Sequence, residues 1–208
     1  MAEKLIEIDG RELFKVVKAL ENYPKEIRPA IASAVNKTMD SAVTQIKKEV
    51  AAEYTIKQKD IAKAIKKNKA NVNKLTAAAI AEGGQVALYK FQHSPQAPPP
   101  KQRYKQPVKV KVKKSGNKAV VKNKAGNKGF IQTMNGHNMI FARKGKKRYP
   151  IEKLFSLSVP QMISDKNDSK GSIKRIKART EEMLVKKIDQ EINYRLEKVA
   201  KEIKGGAK

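Results

Sequence analysis

The sequence contains no cysteine and no tryptophan, and aromatic residues make up only 5% of it. Without cysteine there is no disulfide scaffold, no cysteine nucleophile and no cysteine-ligated zinc site. The shortage of aromatics removes the stacking platform on which single-strand binders seat successive bases. No apolar run approaches the roughly 18 residues needed to span a membrane. The opening MAEKLIEIDG lacks the apolar core of a secretory signal. The expectation is a soluble cytoplasmic product with no membrane association.

Catalytic motifs are as scarce. The only histidines, His93 and His137, stand at no HExxH, HxH or histidine–carboxylate spacing. There is no GxSxG, Walker A or GxGxxG, and Gly126, Gly129 and Gly136 read as turn glycines. Glu181-Glu182 reads as a solvated helix face. The expectation is a non-enzymatic protein with no catalytic residues, no metal site and no cofactor.

Acidic residues are missing from only one part of the chain. The 208 residues carry 47 Lys or Arg against 20 Asp or Glu, a net charge of +27. Residues 1–60 are nearly balanced, with 11 basic and 10 acidic side chains. Residues 61–151 hold 22 basic side chains and one acid, Glu82. Residues 152–208 hold 14 and 9. Magnesium-dependent nucleases need carboxylates that this middle lacks. Its field favours a polyanion: nucleic acid, anionic lipid or an acidic protein surface. Lysines number 39 and arginines 8. Lysine is a point charge on a flexible stem, so the bias suits sequence-independent phosphate attraction better than base reading. The 39% hydrophobic content still supports a buried core, in one domain over residues 1–208.

Hydrophobic periodicity predicts an α+β fold, with long amphipathic helices towards both ends around a small, mostly antiparallel β-region. Residues 4–8 read as a strand. Asp9 is a candidate cap for a helix near Arg11 with Leu13, Val16, Val17 and Leu20 as its stripe. Ile27, Ala30, Ile31, Ala34, Val35, Thr38, Met39, Ala42, Val43, Ile46 and Val50 recur at helical spacing over 26–53, about 40 Å of helix. A short helix opens at Thr55 or Gln58, with Ile61, Ala62 and Ile65 inward. Residues 75–81 read as a strand paired with Val86 to Phe91 across Gly83-Gly84. These elements group as an N-terminal part (1–70), a basic β-region (71–163) containing a stiff proline-rich loop (94–107), and a C-terminal helix (164–208).

Within the β-region, Val108 to Lys113 alternates valine and lysine, which segregates them onto opposite strand faces. Gly116-Asn117 signals a hairpin returning at Ala119 to Val121, and Asn135-Gly136 joins strands Phe130 to Thr133 and Met139 to Ala142. Residues 149–163 carry two prolines and read as irregular. Ser172 is a candidate cap of a last helix with Ile173, Ile176, Met183, Leu184, Ile188, Ile192, Leu196, Val199 and Ile203 as its stripe, stopped by Gly205-Gly206. The candidate nucleic-acid-facing residues are Lys109, Lys111, Lys113, Lys114, Arg143, Lys144, Lys146, Lys147 and Arg148, flanked by Lys101, Arg103 and Lys105. The candidate packing and oligomer residues are Ile31, Val35, Met39, Val43, Ile46, Ile188, Ile192 and Leu196. No standard DNA-reading helix stands out.

Two stretches carry a family resemblance. The first is Ile31-Ala-Ser-Ala-Val-Asn-Lys-Thr, continued by Glu53-Tyr-Thr-Ile-Lys-Gln-Lys-Asp-Ile and Lys63-Ala-Ile. The second, more specific, is Gly129-Phe-Ile, then Ile140-Phe-Ala-Arg-Lys-Gly-Lys-Lys-Arg-Tyr-Pro-Ile-Glu-Lys-Leu-Phe, ending in Ser158-Val-Pro-Gln-Met. Over roughly residues 28–200 the chain resembles the phage minor tail protein Z, or tail completion, family. It departs from the pattern at Leu154-Phe155-Ser156-Leu157, where a Leu-Tyr-Gly-Pro type of turn is expected.

The resemblance implies a structural virion protein made in the host cytoplasm. It would sit at the head-proximal end of the tail, join tail to head, and help position or pass the DNA. It also implies a homo-oligomeric ring, six-fold like a tail tube. The partners would be tail terminator, tail tube, head connector and the DNA backbone in the channel. Two other readings remain: a free, sequence-independent nucleic-acid-binding protein, and a tail structural protein whose basic face meets an acidic protein.

Overall fold

A computed structural model describes residues 2–11, 24–99, 107–164 and 172–205. In chain order the elements are β1 (Ala2–Asp9), α1 (Pro24–Glu53), α2 (Gln58–Ala62), β2 (Ile65–Asn68), β3 (Thr76–Glu82), β4 (Gln85–Ala87), β5 (Gln92–Ser94), β6 (Lys109–Lys111), β7 (Ala119–Val120), β8 (Phe130–Met134), β9 (His137–Arg143), β10 (Ile151–Lys153), β11 (Phe155–Ser158), α3 (Val159–Ile163) and α4 (Ser172–Gly205). The protein is α+β, with long helices and antiparallel sheets. The helix expected near Arg11, with Leu13, Val16, Val17 and Leu20, lies outside the described residues. So do Lys101, Arg103 and Lys105 and the later part of the proline-rich loop.

The chain divides into two compact units. One is formed by residues 2–46, 65–82 and 163–208, the other chiefly by residues 47–64 and 83–162. Helix α1 contributes to both, through Ile46 to the first and from Lys47 to the second.

The first unit is built on the sheet β1-β3-β2, antiparallel throughout. In β3, Ala77, Ala79 and Ala81 alternate inward and are fully buried, as the two-residue period of a half-buried strand requires. Small side chains there let a helix come close. The approach is tightest at Gly10, where a Cβ would lie 2.6 Å from Ile31 Cγ2 and 2.8 Å from Val35 Cγ2. The predicted α1 stripe is the core, with Ala30, Ile31, Ala34, Val35, Met39, Ala42, Val43 and Ile46 all buried. Thr38 joins it because its hydroxyl donates to the Ala34 carbonyl, 2.8 Å away.

Helix α4 runs antiparallel to α1. Lys37 pairs with Glu191, Arg195 with Glu26, and Gln45 Nε2 lies 3.6 Å from Met183 Sδ. Ile188 and Ile192 are buried beneath these pairs, and Leu196 is half-buried. The side chains of Ile173, Val199 and Ile203 lie outside the described residues.

The second unit contains the sheets β5-β6-β7, β10-β9-β8 and the pair β11-β4. Backbone bonds connect the first two sheets: Val121 N–H to the Val108 carbonyl (3.0 Å) and Gly129 N–H to the Val121 carbonyl (2.8 Å). Gly129 is closely packed: a Cβ would lie 3.3 Å from both Ile140 Cγ2 and Leu154 Cδ1. The Asn135-Gly136 turn has φ of 51° and 75°, the left-handed pair that a two-residue hairpin demands.

Several expectations are corrected. Strand β3 pairs with β1 and β2, while β4 pairs with β11. Residues 149–163 are not irregular: they hold β10, β11 and α3. Ala62 is exposed, and Ile65 opens β2 instead of closing the short helix. His137 begins β9 rather than lying in the turn.

Candidate cationic surface

Strands β9 and β10 pair through Ile151 opposite Arg143, and the connection between them carries the densest charge. Lys144 N–H donates to the Pro150 carbonyl at 3.0 Å and closes this loop. Arg143, Lys144, Lys146, Lys147 and Arg148 are all exposed. The Arg148 guanidinium lies 5.8 Å from the centroid of the exposed Tyr149 ring. That distance supports a cation–π contact, which leaves the guanidinium N–H groups available at the edge.

The base of this loop is fixed by asparagines that sequence reasoning missed. Asn123 Nδ2 donates to the Arg143 carbonyl (2.9 Å) and to Glu152 Oε1 (2.8 Å), and Asn127 Nδ2 donates to the same carbonyl (2.8 Å). Asn127 N–H donates to Asn123 Oδ1 (2.8 Å), and Asn123 N–H to the Asn127 carbonyl (3.0 Å). The 123–127 turn, with Gly126 at φ 81°, is thus clasped to the root of the 143–152 hairpin. The clasp brings exposed Lys122, Lys124 and Lys128 into the same cationic surface, and Lys122 and Lys128 face each other across a bridge. The local signal was the Asn-x-x-x-Asn spacing around Gly126.

The lysines of the alternating segment have different environments. Lys109 is exposed on β6, while Val108 and Val110 are buried. The strand ends at Lys111, so regular alternation stops there. Lys113 is bridged to Tyr54; its Nζ lies 3.2 Å from Glu53 Oε1 and 5.5 Å from the Tyr54 ring centroid. Its hydrogen bond to Glu53, then the charge Tyr54 carries once ionised, hold the Lys113 ammonium above the ordinary lysine value. Burial pushes the Tyr54 phenol up, opposed by the Lys113 charge. Lys113 therefore spends its charge within the unit. Lys114 is exposed, and its N–H donates to the Glu53 carbonyl at 2.7 Å.

The packing residues Ile31, Val35, Met39, Val43, Ile46, Ile188 and Ile192 lie inside the chain's own fold. Among the described residues no group of three His, Asp or Glu converges as a metal site, and no helix is long and apolar enough to cross a membrane. His93 is buried with Nδ1 2.7 Å from the Phe91 carbonyl oxygen.

The described residues thus define a two-unit α+β chain that displays an acid-poor cationic surface on short hairpins. A family model, prophage minor tail protein Z, matches residues 11–202. The chain belongs to that family, a phage tail protein family whose members contact other virion proteins. No curated protein and no solved structure matches it.

Proposed function

We propose that the chain is a non-enzymatic tail completion protein at the head-proximal end of the tail, helping to join head and tail. Its cationic surface touches the backbone of the passing DNA without reading sequence. Membership of the minor tail protein Z family supports the tail setting. The observation that carries the DNA reading is the clasped surface of Lys122, Lys124, Lys128, Arg143, Lys144, Lys146, Lys147 and Arg148, all exposed on two joined turns. Lysine contacts are mobile and sequence-blind, so DNA can slide past them. A homo-oligomeric ring around the channel, six-fold with the tail tube, would repeat the surface around the DNA and meet tail terminator and head connector. Electron microscopy of particles made without this chain tests the reading. Tails that fail to join heads productively are expected, and normal infectious virions would overturn it.

A further inference from the structure

Away from the clasped turns, the second unit has a shallow depression lined by Thr55, Ile56, Gln92, Lys111 and Lys114, with a volume of about 570 Å³. Three chain segments build it. Gln92 on β5 stands directly opposite Lys111 on β6, so their side chains leave the same face side by side. The Thr55 hydroxyl fastens both strands: it donates to the Lys111 carbonyl and accepts the Gln92 N–H at 3.1 Å. Thr55 N–H donates to the Val112 carbonyl at 2.9 Å. Lys114 is delivered by the turn whose N–H is tied to the Glu53 carbonyl. Ile56, 4% exposed, supplies an apolar floor.

Among the described residues the lining carries Lys111, Lys114 and the Gln92 amide, and no carboxylate. Lys111 and Lys114 make no ion pair among the described residues, whereas Lys113 between them is held by Glu53. Two lysines on one lining beside the buried Ile56 put positive charge where an anion can sit. We infer that this depression seats a single phosphodiester group of the DNA backbone, with Lys111 and Lys114 sharing its charge and the Gln92 amide donating to an oxygen. The seat rests on the DNA-contact reading above and adds a defined position to it. Lys113 is excluded from the contact and serves only to hold the strand.

The test is fluorescence anisotropy of the full chain on a labelled mixed-sequence duplex, between about 50 and 200 mM salt. Each phosphate neutralised contributes a slope of about −0.9 to log K against log salt. The double variant Lys111→Gln/Lys114→Gln should flatten the slope by about 0.9, one phosphate's worth. Each single variant should produce part of that change, because both lysines serve one group. Lys113→Gln should leave the slope unchanged while lowering the melting temperature, and Lys111→Arg/Lys114→Arg should retain the wild-type slope. An unchanged slope in a folded double variant overturns the seat and leaves the DNA reading standing. A flattening of about 1.8 means two separate phosphates and also overturns it. A wild-type chain that binds no duplex overturns both readings. Inorganic phosphate should compete only weakly; competition as strong as that of duplex would assign the seat to the free ion. Polyglutamate bound with the same lysine dependence, in place of duplex, would assign it to an acidic protein.

Discussion

Lys113 and Lys111 stand two positions apart in an alternating segment, yet only Lys113 has a carboxylate partner among the described residues. Because Lys113 and Tyr54 both hold their protons more tightly folded than unfolded, their stabilisation is fully present below the unfolded values near pH 10. It is lost as pH rises through the folded ones. Chemical denaturation at increasing alkaline pH should show this loss, and Glu53→Gln should make the alkaline limb shallower. Asp9 has the opposite sign. Arg11 holds its carboxyl below the ordinary value, chiefly by a side-chain hydrogen bond, so its contribution is present above the unfolded value and fades as pH falls through the folded one. Asp9→Asn should flatten the acid limb alone. Gly10→Val should cost about 1–3 kcal/mol by overpacking, because its Cβ has no space beside Ile31 and Val35. A melt of the purified variant measures this.

At the scale of elements, α1 and α4 are held in register by charges as well as by their apolar stripes. The Glu191 side chain is 4% exposed and is paired with both Lys37 and Arg195. Arg195→Met should cost about 2 kcal/mol, less than the roughly 3–5 kcal/mol of a fully stranded buried charge, because Lys37 remains. Denaturant unfolding reads the difference. The double variant Asn123→Ala/Asn127→Ala should loosen the cationic turns, with faster amide exchange over 123–129 and 143–150. Hydrogen bonds of this kind are worth about 0.5–1.5 kcal/mol each.

Features with a local physical cause were legible in the sequence. The apolar stripe marked α1 to within two residues of its start. The Asn-Gly turn marked the β8–β9 hairpin, and the valine–lysine alternation marked β6. Pairings between distant segments were not. Strand β3 pairs with β1, and β11 with β4, each about 70 residues away in sequence. No local period encodes those choices. The same holds for the candidate surface: charge alone identified Arg143, Lys144, Lys146, Lys147 and Arg148, but not Lys122, Lys124 and Lys128. The Asn123 and Asn127 clasp and the Lys113–Glu53 pair needed the fold, because their partners come from other strands and from the end of α1.

At the scale of the molecule, the 47 basic side chains behind the net charge of +27 divide by role. Part of this set is paired with acids inside the fold, as at Lys37, Lys67 and Lys113. Part is displayed on the clasped turns, where no acid lies among residues 83–151. Subunits carrying such a surface repel each other at low ionic strength, where the screening length reaches about 30 Å at 0.01 M salt. Self-association measured by analytical ultracentrifugation should therefore strengthen with added salt or added duplex. The central claim is that this surface lies on the DNA path at the head-proximal end of the tail. A cryo-electron microscopy reconstruction of the intact virion neck tests it most directly. The account predicts a ring of this chain there, with DNA density against the turns carrying Lys122, Lys124, Lys128 and Arg143 to Arg148. The same turns buried against an acidic protein, or the chain located away from the neck, would contradict it.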